Sequence, residues 1–150
     1  MKYKLLTDET IVHNGVTLYR IQSLSNFSDV KSGDKGGWIE KESNLSQYDN
    51  AWIYEKAMVY DNAKVYGEAK VYGHAEVFCN AKIYDTAKVY GDAWIYGNAK
   101  VYGNAWIYGN AKVCDNALIY DNAWIYDKAI VYGAVEVHGN SEVFRNTEIY

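Results

Sequence analysis

The feature that most constrains this chain is a period of six. From Ala51 to Tyr150 the sequence reads as unbroken hexapeptides: AWIYEK, AMVYDN, AKVYGE, AKVYGH and onward to TEIY. The first position is Ala fourteen times running, from Ala51 to Ala129, and then Val135, Ser141 and Thr147. The third is Val or Ile in all seventeen hexads, and the fourth is aromatic in fifteen, Cys114 and His138 being the exceptions. Position five is mostly Gly or Asp, and position six most often Asn.

Residues ordered small, variable, β-branched, aromatic have the alternation of a short strand with Ala and Val/Ile on one face. The Gly, Asp and Asn that follow tolerate the left-handed backbone that a sharp corner needs. Strand and corner repeating every six residues predict a coil with flat sides. Three sides close a triangular turn of 18 residues, and seventeen hexads make five to six such coils. The narrow interior explains why nothing larger than Val or Ile occurs there. The aromatic points outward and stacks on its equivalent one coil later, in columns running Tyr54 to Phe144, Tyr60 to Tyr150 and Tyr66 to His138. Cross-strand aromatic pairs of this kind contribute about 0.2–1 kcal/mol each.

Composition narrows the function classes. A net charge of −4 argues against a general nucleic-acid binder, whose domain is normally basic. No apolar run has the length of a membrane span, and the opening MKYKLLTDET lacks the apolar stretch of a secretory signal. A cytoplasmic location is therefore expected. Cys79 and Cys114 have no metal-ligand spacing and lie two coils apart, too far for a disulfide. Neither metal nor cofactor is expected.

Residues 1–44 stand outside the repeat and are read as a cap, with 45–150 as the solenoid. "IVHNGVTLYRIQSL" reads as a β-hairpin turning at Asn14–Gly15. "SGDKGGWIEKESNLSQ" then leads through a Gly-rich bend into the first coil, with Leu45 already at an inward position. Such a cap would cover the open edge that a solenoid otherwise exposes.

The run from Leu18 to Tyr54, and within it "FSDVKSGDKGGWIE" and "NLSQ", resembles the lead-in segment of the YdcK-like hexapeptide-repeat proteins of enteric bacteria and phages. The resemblance implies the handedness, making the expected fold an all-β, left-handed parallel β-helix of five to six 18-residue triangular coils with a small N-terminal β-hairpin cap. It also implies the acetyltransferase label that the family carries, hence a coenzyme A-dependent acyltransferase working at trimer interfaces. It supplies no established catalytic residues. The phage association would place the chain in host cytoplasm, acting on a host factor.

Four groups of residues are candidates for function. A general base needs a cleft; His13 lies at the hairpin turn, His138 replaces a ladder tyrosine, and His74, at a corner, is the least unsuited catalyst. No insertion interrupts the hexads to build a cleft around any of them. Lys64, Lys82 and Lys100 form one column, a candidate anion-binding stripe, with Lys70 and Lys88 on another face. Further along, the same outward position turns apolar. Trp94, Trp106, Leu118, Trp124 and Ile130, with Tyr108 and Tyr126 beside the two stacking tryptophans, suit a protein partner or self-association as a homodimer or homotrimer. Glu136, Glu142 and Glu148 place a carboxylate on each side of the last coil, discouraging end-to-end stacking. The leading expectation is a non-catalytic binding or structural protein that presents an aromatic face.

Overall fold

In the computed structural model, which describes residues 1–150, every hexad forms a two-residue strand followed by a corner. Seventeen such strands run from Trp52–Ile53 to Glu148–Ile149. All but the last three pair in parallel with the strand 18 residues on, as Lys64 does with Lys82 and Trp106 with Trp124. The chain is an all-β parallel solenoid of about six turns with three sheets. Ala and Val/Ile fill its interior, with Ala51 through Val131 at those positions all at most 1% exposed. No helix is long and apolar enough to cross a membrane.

The outward second position distinguishes the three faces. On the Trp face it reads Trp52, Lys70, Lys88, Trp106, Trp124, Glu142. On the Lys face it reads Lys64, Lys82, Lys100, Leu118, Glu136. On the third, here the cap face, it reads Trp38, Met58, Glu76, Trp94, Lys112, Ile130, Glu148. The aromatic columns stack as expected. From Tyr60 and Tyr66 onward ring centroids lie between 4.9 Å (Tyr66–Tyr84) and 5.4 Å (Tyr126–Phe144), with planes within 10° except at the terminal Tyr132–Tyr150 pair, where they are 19° apart.

Corners hold the coils to one another. Position five takes a positive φ at Asp, Gly, Glu, Cys and Arg alike. Down one edge the position reads Asp49, Gly67, Asp85, Gly103, Asp121, Gly139. The carboxylates of Asp49, Asp85 and Asp121 each accept the backbone N–H of the glycine one coil on, at 2.7, 3.1 and 3.0 Å. Asn80, Asn98 and Asn116 form an amide ladder along another edge.

The cap is continuous with the solenoid. β1 (Tyr3–His13) and β2 (Val16–Ser23) form the expected hairpin, with positive φ at both Asn14 and Gly15, the geometry that matches strand twist. β3 (Lys35–Ile39) pairs antiparallel with β2 and parallel with Met58–Val59, so the sheet of the cap face runs unbroken through nine strands. The two glycines of "KGGWI" permit this close approach. A Cβ on Gly36 would lie 2.5 Å from the Ile53 carbonyl oxygen, and one on Gly37 would lie 2.6 Å from that of Ala57.

Polar side chains plug the first coil. Lys2 Nζ donates to the carbonyls of Asp49 (2.9 Å) and Ala51 (2.6 Å), and Tyr3 Oη donates to that of Leu45 (2.6 Å). Asn44, fully buried, donates to the carbonyls of Asp61 and Ala63. Gln47 Oε1 accepts the N–H groups of Lys2 and Tyr3. No buried side-chain nitrogen or oxygen is left without a partner, which removes the cost of orphaned polar groups at this end.

Candidate functional site

Of the seven residues singled out as a contact surface, the fold brings four together. Trp106 and Trp124 stack at 5.3 Å with planes 8° apart, and beside them Tyr108 and Tyr126 stack at 5.0 Å and 4°. All four belong to the Trp face, where Trp124 is 38% exposed. The patch is bounded by charges held in place. Lys88 Nζ lies 5.1 Å from the centre of the Trp106 ring, and Glu142 accepts a hydrogen bond from Tyr126 Oη at 3.2 Å. The other three residues are dispersed. Trp94 and Ile130 project from the cap face with Lys112 between them, its ammonium 4.9 Å from the Trp94 ring, and Leu118 sits on the Lys face.

Lys64, Lys82 and Lys100 do form a parallel-paired column. None has a carboxylate within ion-pair distance, since the salt bridges of the molecule lie elsewhere. None of the three lines the clefts described below.

Clefts occur where the cap meets the coils. His74 lines one of about 450 Å³ with Arg20, Trp38, Glu55 and Lys56. Its wall comes from β2 and β3, which is how a cleft arises although no insertion breaks the hexads. The guanidinium of Arg20 lies over the Trp38 ring at 5.7 Å and its Nε donates to the Gly36 carbonyl. A second cleft, about 300 Å³, is lined by Asp29, Tyr54, Glu55, Lys70, Tyr72 and Lys88. Here the cap breaks the ladder. Tyr54 Oη donates to Asp29 Oδ1 at 2.7 Å, turning its ring edge-on to Tyr72 at 6.0 Å and 78°. Burial, with Asp29 beside it, pushes the Tyr54 phenol far above its ordinary range, while the phenol's hydrogen bond pulls the Asp29 carboxyl down.

The tip of the hairpin folds onto the cap face. His13 Nε2 lies 2.6 Å from Glu76 Oε1, and Tyr60 Oη donates to the same oxygen at 3.0 Å. Glu76 is 9% exposed and Tyr60 only 3%, so Tyr60 is an outward ladder residue turned into core by the hairpin. Burial, with the Glu76 carboxylate adjoining, raises its phenol strongly. The period carries no trace of this contact. Its only signal is Glu76 itself, an acidic residue in a position that from Trp52 to Ile130 otherwise holds Lys, Trp, Met, Leu or Ile. His138, by contrast, stays exposed, stacked on Tyr120 at 5.1 Å. Cys79 takes a corner and Cys114, free and buried, a ladder position.

Residues 93–109, three strands of the regular part that include Trp94 and Trp106, match the family model described as the YdcK beta solenoid repeat. A protein of Escherichia coli (strain K12) named "Uncharacterized acetyltransferase YdcK" is 47% identical over 38 residues. That stretch is 25% of this chain and 12% of that protein. With the coil register, the inward Ala and Val/Ile and the Gly/Asp corners, these likenesses agree: the chain is a β-solenoid protein that resembles the YdcK-like hexapeptide-repeat family.

Proposed function

We propose that this chain is a binding protein whose contact surface is the Trp face at Trp106, Tyr108, Trp124 and Tyr126. The observation that carries the reading is the pair of parallel indoles at 5.3 Å flanked by two parallel phenols on one sheet. The rings are locked by stacking and need no reordering to meet a partner, which lowers the entropy cost of association. Trp and Tyr are also the residues that most often dominate binding energy at interfaces. Immobilised chain and a Trp106→Ser/Trp124→Ser variant test it, each challenged with the free chain and with host cytoplasmic proteins. The expected result is retention by the native surface that the variant loses; equal retention by both overturns the reading.

A second reading, a coenzyme A-dependent acyltransferase, is supported by the cleft that holds His74 with Arg20, Lys56 and Glu55 and by the name of the Escherichia coli relative. An exposed imidazole beside cationic groups has the chemistry to deprotonate an acceptor hydroxyl while an anionic donor is held nearby. Acetyl transfer from acetyl-coenzyme A that His74→Ala abolishes would support it. Transfer that persists in the variant, or its absence from the native chain with a range of hydroxyl acceptors, would sink it.

A further inference from the structure

The outward row of the Trp face is complementary to its own reverse. Position two reads Lys88, Trp106, Trp124, Glu142 along the solenoid, and position four reads Tyr90, Tyr108, Tyr126, Phe144. Read backwards, cation falls on anion, indole on indole, phenol on phenol, and Tyr90 on Phe144. An isologous dimer needs this property, because a two-fold axis places each patch against itself.

We infer that the Trp face docks a second copy of this chain, solenoid axes antiparallel, about a two-fold running along the strands between Trp106–Ile107 and Trp124–Ile125. The inference rests on the reading of that face as the contact surface and names its occupant. A rotation about an axis in the plane of the sheet turns one face onto the other. It keeps the strand direction and reverses the order of the rows. Trp106 of each copy then lies opposite Trp124 of the other, and Lys88 opposite Glu142, twice by symmetry. Neither charge is floppy: Lys88 is drawn over the Trp106 ring and Glu142 is held by Tyr126. Opposite charges at the ends of an apolar patch set the register of docking.

The other faces do not offer the same surface. On the cap face a reversal about Trp94 would pair Lys112 with Glu76, but His13 and Tyr60 already occupy Glu76 beneath the hairpin. On the Lys face a reversal about Leu118 pairs Lys100 with Glu136, with no aromatic at position two and with Lys64 and Lys82 opposite no carboxylate of the coils. Four rows at ~4.8 Å make a patch roughly 15–20 Å long. That is the size class of weak, reversible pairs, so a dissociation constant on the order of micromolar is expected.

Sedimentation velocity of the full chain from sub-micromolar to sub-millimolar concentration, at low salt, tests the inference. The native chain should show a monomer–dimer equilibrium. Lys88→Glu alone, or Glu142→Lys alone, sets like charges opposite each other in two places and should weaken the dimer by about tenfold or more. The combined Lys88→Glu/Glu142→Lys chain restores both pairs and should regain most of the affinity. Thermal unfolding of each variant checks that these outward changes leave the solenoid folded. A monomer at all concentrations, a dimer indifferent to the single changes, or a combined variant no better than the singles overturns the inference. The underlying reading fails separately. A monomer whose Trp face still captures another protein, or a dimer insensitive to Trp106→Ser/Trp124→Ser, overturns only the self-pairing, whereas a native chain and a double variant that dimerise alike and retain other proteins alike overturn both.

Discussion

Trp52 and Trp124 occupy the same lattice position on the same face, four coils apart, and differ in almost everything else. Trp52 is 1% exposed, with Tyr3 edge-on at 6.1 Å and Phe27 edge-on at 5.3 Å. Trp124 is 38% exposed, and its one aromatic partner is Trp106, stacked on it in parallel. One is core because the cap folds over it; the other is surface because nothing in the chain does. The ladder changes with them. Beneath the cap, Tyr54 turns edge-on to bond Asp29 and Tyr60 is buried against Glu76, while in the free coils the rings stand parallel. A hexad therefore specifies which side chains point out. It does not specify whether outward means solvent.

The sharpest way to break this comparison is to truncate both indoles. Trp52→Ala removes a side chain enclosed on every side and should cost about 3–5 kcal/mol, the range for deleting a buried large aromatic. Trp124→Ala loses one stack and some area, and should cost about 1 kcal/mol. Urea unfolding followed by circular dichroism measures both, and equal losses would mean that the cap does not bury Trp52 in solution.

The junction itself can be tested next. Gly37→Ala drives a methyl to 2.6 Å from the Ala57 carbonyl oxygen and the Ile53 side chain. The contacted oxygen belongs to backbone that cannot swing aside, so the change should cost about 1–3 kcal/mol. Gly139→Ala meets nothing within 4 Å and bears only its positive φ of 64°, about 1 kcal/mol. A Gly37→Ala chain as stable as Gly139→Ala would show that β3 does not sit against the first coil.

Alkaline pH separates the regions by chemistry. Burial holds the phenols of Tyr84 and Tyr96 in the free columns up to about 12, and pushes Tyr3, Tyr54 and Tyr60 at the cap further still. A tyrosine whose value is raised by folding contributes stability that is intact below its ordinary value near 10 and is lost as pH climbs through the folded value. Stability should therefore fall above about pH 10. In absorbance titration the exposed ladder phenols should ionise before unfolding, and the cap phenols only with it. Lys2 acts oppositely. Burial lowers its ammonium to about 8, so between there and its ordinary 10.5 the unfolded chain binds more protons and stability rises with pH. Lys2→Met should flatten that rise, and an unchanged slope would place the ammonium in solvent.

What could be read from the sequence followed the period. The inward Ala and Val/Ile, the 18-residue coil, the three aromatic columns, the Lys column and the Trp106–Trp124 stack all descend from counting by six. The cap contacts could not be read this way, because each joins residues tens of positions apart with no repeat to announce them. Lys2 on Asp49, His13 on Glu76 and Asp29 on Tyr54 are single events. The same holds for the cleft at His74, whose walls come from Arg20 and Trp38. "KGGWI" did carry a signal, since glycines inside a strand mark a close approach of backbones, but the approach it marks is to Ile53 and Ala57, which no local pattern identifies.

One further regularity was present in the sequence at a period of 18 and becomes intelligible only with the hydrogen bonds. Asp and Gly alternate down the edge from Asp49 to Gly139, and each carboxylate takes the next coil's glycine N–H. This link operates in capped and free coils alike, so it marks what the two regions share. Asp121→Gly keeps the positive φ of 56° available and removes the acceptor of the Gly139 N–H together with an exposed carboxylate 3.9 Å from His138 Nδ1; exposed pairs contribute little, so it should cost about 0.5–1 kcal/mol, the net worth of the hydrogen bond. Asp121→Asn retains an oxygen at the same reach and should cost little. Asp92→Ala, at an exposed corner position whose carboxylate bonds nothing, should be neutral. Thermal midpoints of the three variants decide it. If Asp121→Gly is as silent as Asp92→Ala, the alternation reflects backbone tolerance alone, and what joins the coils along this edge is the main-chain bond from each position-six N–H to the carbonyl 17 residues on.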